Sequence, residues 1–357
     1  MADSLSAIRR ITGDGRPFIT KGLAIFSLSS AAMKKITRIS LIVLGVIIAG
    51  LAAVIGFIKV ALPHTGAPPD INVQITPGRV QRGEYLANHV AACMDCHSQH
   101  DWSFYAGAMK KETFGSGGEK FSKEIGFPGT VYSRNITPAG MKDWTDGEIY
   151  RAITAGEDKH GKPLFPLMPY PSYGKTDPED IMCIIAYMRT LPAIQNEVPP
   201  HQLDFPLNIL VNTMPSRAAM QKKPDSNNIT GYGRYLVTMA GCAECHSKIK
   251  KGVPVAGTEF GGGRTFDFPN GTVVTAPNIT FDKVTGIGNW DRNLFIRKFS
   301  QYTDSGYVPR RVEPDGFNTP MPWLMYSGMT KSDLAAIYAY LGTVTPIRND
   351  VKVFRRK

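Results

Sequence analysis

Two five-residue runs carry the chemistry of this sequence: Cys93-Met94-Asp95-Cys96-His97 and Cys242-Ala243-Glu244-Cys245-His246. Both read C-x-x-C-H. Two thiols one helical turn apart can each add to a vinyl group of a porphyrin, and the histidine that follows can rise under the ring to the iron. The spacing is that of c-type heme attachment. A zinc site asks for a second C-x-x-C partner for each pair, and a thioredoxin-like redox motif has no need of the trailing His. The spacing therefore predicts two molecules of heme c, held covalently by Cys93, Cys96, Cys242 and Cys245, with His97 and His246 on iron. The fifth thiol, Cys183, lies in the apolar helical stretch DPEDIMCIIAYMRTLP and reads as a small core residue, so no disulfide is expected.

A six-coordinate heme needs a second axial ligand, normally Met or His. No histidine follows His246, so the second heme takes Met, a less usual ligand or none, and Met321, Met325 and Met329 are the methionine candidates. Only Met321 has a partner in an equivalent context, Met168. Pro169 and Pro322 beside them suit an extended loop that presents a thioether. Met168 and Met321 are accordingly the expected axial ligands, with ordinary core packing as the rival role. For the first heme His100 and His160 remain rivals, while His64, His89 and His201 read as surface or packing residues.

The elements that must position these groups come in two copies. Arg82-Gly83-Glu84-Tyr85-Leu86 matches Tyr232-Gly233-Arg234-Tyr235-Leu236, and Asn135-Ile136-Thr137-Pro138 with Trp144 matches Asn278-Ile279-Thr280-Phe281 with Trp290. Met168-Pro169-Tyr170 matches Met321-Pro322-Trp323, and the register then holds without a gap through Tyr173 and Tyr326, Asp177 and Thr330, Asp180 and Asp333, Tyr187 and Tyr340. Asp177 and Thr330 are N-cap types with a carboxylate three residues later, so a last helix starts at the same distance from each Met. Each is expected to stop before Pro192 or Pro346. Trp144 and Trp290 read as core rather than electron relay.

Of the net charge of +11, seven basic residues against two acids fall within residues 1–38. Leu41 to Ile58 is then uncharged, 18 residues in a row, long enough to span a bilayer. The basic flank places the N-terminus in the cytoplasm and the chain from about Leu62 onward outside. A cleaved signal peptide is the rival reading, with a shorter apolar stretch and a small-x-small cleavage site. Residues 1–38 form a cytoplasmic tail or an over-extended start, with Met33 a natural beginning for the segment, and 39–61 a transmembrane anchor. The repeat sets a first copy at 76–192, a Pro-rich ordered crossover at 193–226 and a second copy at 227–357. The outer part's remaining charge of +6 would be offset in part by heme propionates, and no nucleic-acid partner is expected.

This pattern of C-x-x-C-H, NIT, Trp, MPY or MPW and a final A-Y helix resembles the cytochrome c subunits of periplasmic alcohol, aldehyde and gluconate dehydrogenases. The likeness covers about residues 76–357 and is closest at NITFDKVTGIGNW, 278–290. The first copy departs from it, lacking the TGIG loop and running three residues shorter between Asn135 and Trp144. Most members carry three heme domains against two here. The resemblance implies an all-α organisation of two tandem cytochrome c domains, 76–192 and 227–357, the first and last helices of each crossing where Gly83 and Gly233 allow close approach and Tyr187 and Tyr340 pack. It also implies Asn135 and Asn278 near the heme edge, with turn formation as the other role for these residues.

The implied function is electron transfer without a catalytic site of its own. A periplasmic dehydrogenase is the expected donor, and an oxidase, a quinone-linked complex or a soluble cytochrome the acceptor. The location is the bacterial inner membrane, single-pass, with both hemes on the periplasmic side. His/Met ligation fits, because it closes both iron faces to substrate. Two alternatives stay open: a heme subunit of a terminal oxidase, and a di-heme redox enzyme of the peroxidase or thiosulfate dehydrogenase type, which needs an exchangeable iron face.

Overall fold

A computed structural model describes residues 30–250, 252–303 and 307–357. The reading of residues 1–29 as tail or over-extended start lies outside the described residues. Helix α1, Ser30–Ala61, has a mean hydropathy of 3.0 over its most apolar 18-residue window and buries no residue, so it is long and apolar enough to cross a membrane. It begins nine residues before the expected anchor, because Lys34, Lys35 and Arg38 are good helix formers that extend it.

Residues from Gly56 onward form one compact unit. Its first stretch is strapped down: Thr65 donates through N–H and Oγ1 to Glu157 Oε2 at 3.0 and 2.7 Å, and Val73 N–H donates to Asp146 at 2.8 Å. Two helix crossings follow. Helices α2 (Pro77–Tyr85) and α3 (Pro178–Thr190) form the first, and α4 (Ile229–Met239) and α5 (Lys331–Leu341) the second. Thr76 caps α2, with Pro77 at its first turn. Asp177 caps α3 and Thr330 caps α5, as the register implies. Helix α5 stops at Leu341, earlier than Pro346 requires, with Gly342 at its C-cap.

At both crossings the backbones touch. A Cβ on Gly83 would strike the Cys183 carbonyl and the Tyr187 Cβ, and a Cβ on Gly233 the Ala336 carbonyl and the Tyr340 Cβ. Only glycine permits this approach. Cys183 is buried there at 4% exposure, and burial pushes its thiol up to about 11. Leu86, Met94, Ile181 and Ile185 from the first half and Leu236, Met239, Leu334 and Leu341 from the second belong to one continuous core.

The all-α expectation is corrected by ten short strands among the described residues. Two antiparallel three-stranded sheets stand at corresponding places. Gly129–Tyr132 lies between Lys120–Phe121 and Gln202–Leu203, and Thr272–Thr275 lies between Thr265–Asp267 and Phe354–Arg356. The strands run two to four residues, too short for an alternating pattern to show. The crossover hugs the first half through Ser216 N–H to Ala155 O and Gln221 N–H to Thr176 O.

Candidate functional site

Each C-x-x-C is a single helical turn, Cys93–Cys96 and Cys242–Cys245, entered through a left-handed residue, Ala92 at φ 51° and Gly241 at φ 64°. That kink turns the chain sharply out of the preceding helix. Among the described residues none of the four cysteines is joined in a disulfide, and burial pushes the Cys93 and Cys242 thiols up to about 12.

The histidines are oriented identically. His97 Nδ1 lies 2.6 Å from the Arg134 carbonyl and His246 Nδ1 lies 2.8 Å from the Pro277 carbonyl. A carbonyl only accepts, so Nδ1 carries the hydrogen and Nε2 keeps its lone pair, the tautomer of a metal-binding imidazole. Burial pushes both imidazoles below their ordinary pKa against the pull of these hydrogen bonds, which keeps them neutral. The two sheets supply the carbonyls: each central strand ends two residues before Arg134 or Pro277.

Buried serines that follow each histidine tie the turns to the loops behind them. Ser98 Oγ donates to Met94 O and accepts from Gly115 N–H, and Ser247 Oγ donates to Ala243 O and accepts from Phe260 N–H. Sequence reasoning missed them, although C-H-S stands in both copies.

Met168 and Met321 are half-buried and pack against the common core, each just before a short helical turn, Tyr170–Tyr173 or Trp323–Tyr326. Met325 and Met329 are buried as core fillers. His100 sits at ion-pair distance from Asp95 and Glu119, 3.3 and 3.4 Å, and His160 is exposed.

Asn135 and Asn278 are spent on turns. The Oδ1 of Asn135 accepts from Thr137 N–H and Oγ1 while its Nδ2 donates to Ile194 O at 2.8 Å; Asn278 repeats this with Thr280 and with Ile347 O at 2.6 Å. In the second copy Thr285 of the TGIG loop gives Asn278 a further acceptor at 3.1 Å. Trp144 and Trp290 are half-buried, each with a lysine over its ring, Lys159 and Lys298.

The donor set fits heme c: a cysteine pair at the attachment spacing, and an imidazole with a free Nε2 beside it, twice over. Among the described residues no group of three or more His, Cys, Asp or Glu is placed to hold a metal ion as a zinc site would.

No family model matches the chain. Over 284 residues it is 28% identical to the cytochrome c subunit of a quinone alcohol dehydrogenase from Gluconacetobacter polyoxogenes, covering 75% of this chain and 56% of that one. Over 289 residues it is 31% identical to the cytochrome subunit of fructose dehydrogenase from Gluconobacter japonicus, covering 74% and 52%. A diheme cytochrome c-type protein of Cereibacter sphaeroides is 28% identical over 291 residues, 78% of this chain and 90% of that one. The chain spans about half the length of the dehydrogenase subunits it matches and nearly all of the diheme protein. With the paired C-x-x-C-H turns, these matches make the chain a homologue of the cytochrome c subunits of alcohol and fructose dehydrogenases and of a diheme cytochrome c.

Proposed function

We propose that this chain is a membrane-anchored, two-heme cytochrome c that carries electrons from a periplasmic dehydrogenase toward the respiratory chain. Residues 76–192 and 227–357 hold one heme c each. Heme c supplies an iron that takes up and releases one electron at a time. Cys93 and Cys96 would hold the first heme as thioethers, with His97 and Met168 as ligands to its iron, and Cys242, Cys245, His246 and Met321 would do the same for the second. A thioether ligand beside imidazole would favour the reduced state and leave the iron no open position for substrate. Helix α1 is the single inner-membrane anchor, with the hemes on the periplasmic side and an oxidase or soluble cytochrome as acceptor.

The observation that carries this reading is the duplicated attachment turn, with each histidine resting Nδ1 on a carbonyl at the same place in its half. The test is optical. Solubilised native protein is expected to show two hemes c per chain by pyridine hemochrome, with a long-wavelength Met-to-iron charge-transfer band when oxidised. Met168→Ala and Met321→Ala should each remove about half of that band, one of two equivalent ligands. A wild-type protein without the band overturns the methionine assignment. Reduction of the hemes by a purified periplasmic dehydrogenase and its substrate tests the donor.

A further inference from the structure

The two halves meet through contacts that repeat with the roles exchanged. Tyr85 of α2 donates to Asp333 Oδ2 at 2.6 Å and accepts from Thr330 N–H at 3.1 Å, both at the start of α5 in the other half. Tyr235 of α4 donates to Asp180 Oδ2 at 2.7 Å and accepts from Asp177 N–H at 3.3 Å, both at the start of α3. Tyr85 and Tyr235 are repeat equivalents, as are Asp180 and Asp333, and Asp177 and Thr330. Residue i on j, and j on i, is the signature of an isologous interface, here inside one chain. Each hydroxyl is satisfied as donor and as acceptor, so turning one half against the other breaks both ends.

The turns that follow the candidate axial methionines also cross over. Ser172 Oγ donates to Glu244 Oε1 at 2.9 Å, inside the second attachment turn. The Met325 carbonyl faces His89 Nδ1 at 2.9 Å, four residues before Cys93, and a Cβ on Gly328 would strike that imidazole. The interface is unequal in one respect. Asp180 is also held by Arg82 at 2.9 Å and Lys223 at 3.2 Å, whereas among the described residues Tyr85 is the one side chain hydrogen-bonded to the Asp333 carboxylate.

We propose that Tyr85 and Tyr235 are positioning residues that lock the halves into one two-fold-related pairing and so hold the two heme-attachment turns at a single separation, with Tyr85 the more important. This rests on the two-heme reading above. A fixed separation is what a one-electron exchange inside the chain requires: one site loses the electron that the other gains, and no bond is made or broken.

The experiment is pulsed EPR on oxidised, detergent-solubilised full-length protein, reading the dipolar coupling between the two ferric centres after pyridine hemochrome has counted the hemes. One narrow distance is expected for wild type. Tyr85→Phe should broaden it, Tyr235→Phe should broaden it less, and the double variant most. Where Tyr85→Phe does not accumulate, Asp333→Asn weakens the same bond and should broaden the distance likewise. A broad wild-type distribution, or a double variant or Asp333→Asn as narrow as wild type, overturns the lock and leaves the two-heme reading standing. Fewer than two hemes per wild-type chain overturns that reading instead.

Discussion

His100 is held as a cation beside the first attachment turn. Its imidazole packs 5.4 Å from the Trp102 ring, and Asp95 and Glu119 flank its two nitrogens. Burial opposes the charge, but the hydrogen bond to Asp95 and the attraction of both carboxylates outweigh it and raise the pKa to about 9. An unfolded histidine titrates near 6.5. The raised value therefore stabilises the fold fully below about pH 6.5 and ceases to as pH rises through about 9. The expected outcome is a denaturant midpoint that falls across this window in wild type and stays flat in His100→Gln, measured by chemical unfolding at a series of pH values. The neighbouring asparagines show what was legible at this scale. Asn-x-Thr in both copies announced a turn, but the Ile194 and Ile347 carbonyls they bind lie 59 and 69 residues further on, where no local pattern points.

At the scale of elements, the crossings depend on two glycines. Gly83→Ala pushes a methyl into the Cys183 carbonyl, which belongs to a helix backbone and cannot swing aside as a flexible side chain would. Overpacking against backbone costs on the order of 3 kcal/mol. The same change at exposed Gly78, where a Cβ meets nothing, should cost little, and thermal unfolding of the two variants side by side measures the difference. The helices and their caps were readable because capping residues, prolines and apolar spacing act within a few residues. The sheets were not, because each is closed by a distant partner: Thr272–Thr275 pairs with Phe354–Arg356, and Gly129–Thr130 with Gln202–Leu203. They matter to the site all the same, since the chain leaving each central strand carries the carbonyl that orients a histidine.

For the whole molecule, two repeats share one core, and that was beyond the reach of the sequence pattern. The repeat names Tyr85 and Tyr235 as equivalents, yet nothing local says that Tyr85 finds its partner 248 residues away in the other copy. A shared core predicts a single cooperative unfolding transition for residues 56–357. Calorimetry should show one peak whose van't Hoff and calorimetric enthalpies agree, and two resolved peaks would contradict the shared core. The exchanged tyrosine contacts have one more consequence. A symmetric pairing between separate chains comes apart on dilution, whereas here residues 193–226 tether the partners and set their effective concentration, so the pairing holds however scarce the protein is. The tether also frees the two sides to diverge: Arg82 stands on one side where Tyr232 stands on the other, a difference that two identical subunits could not have.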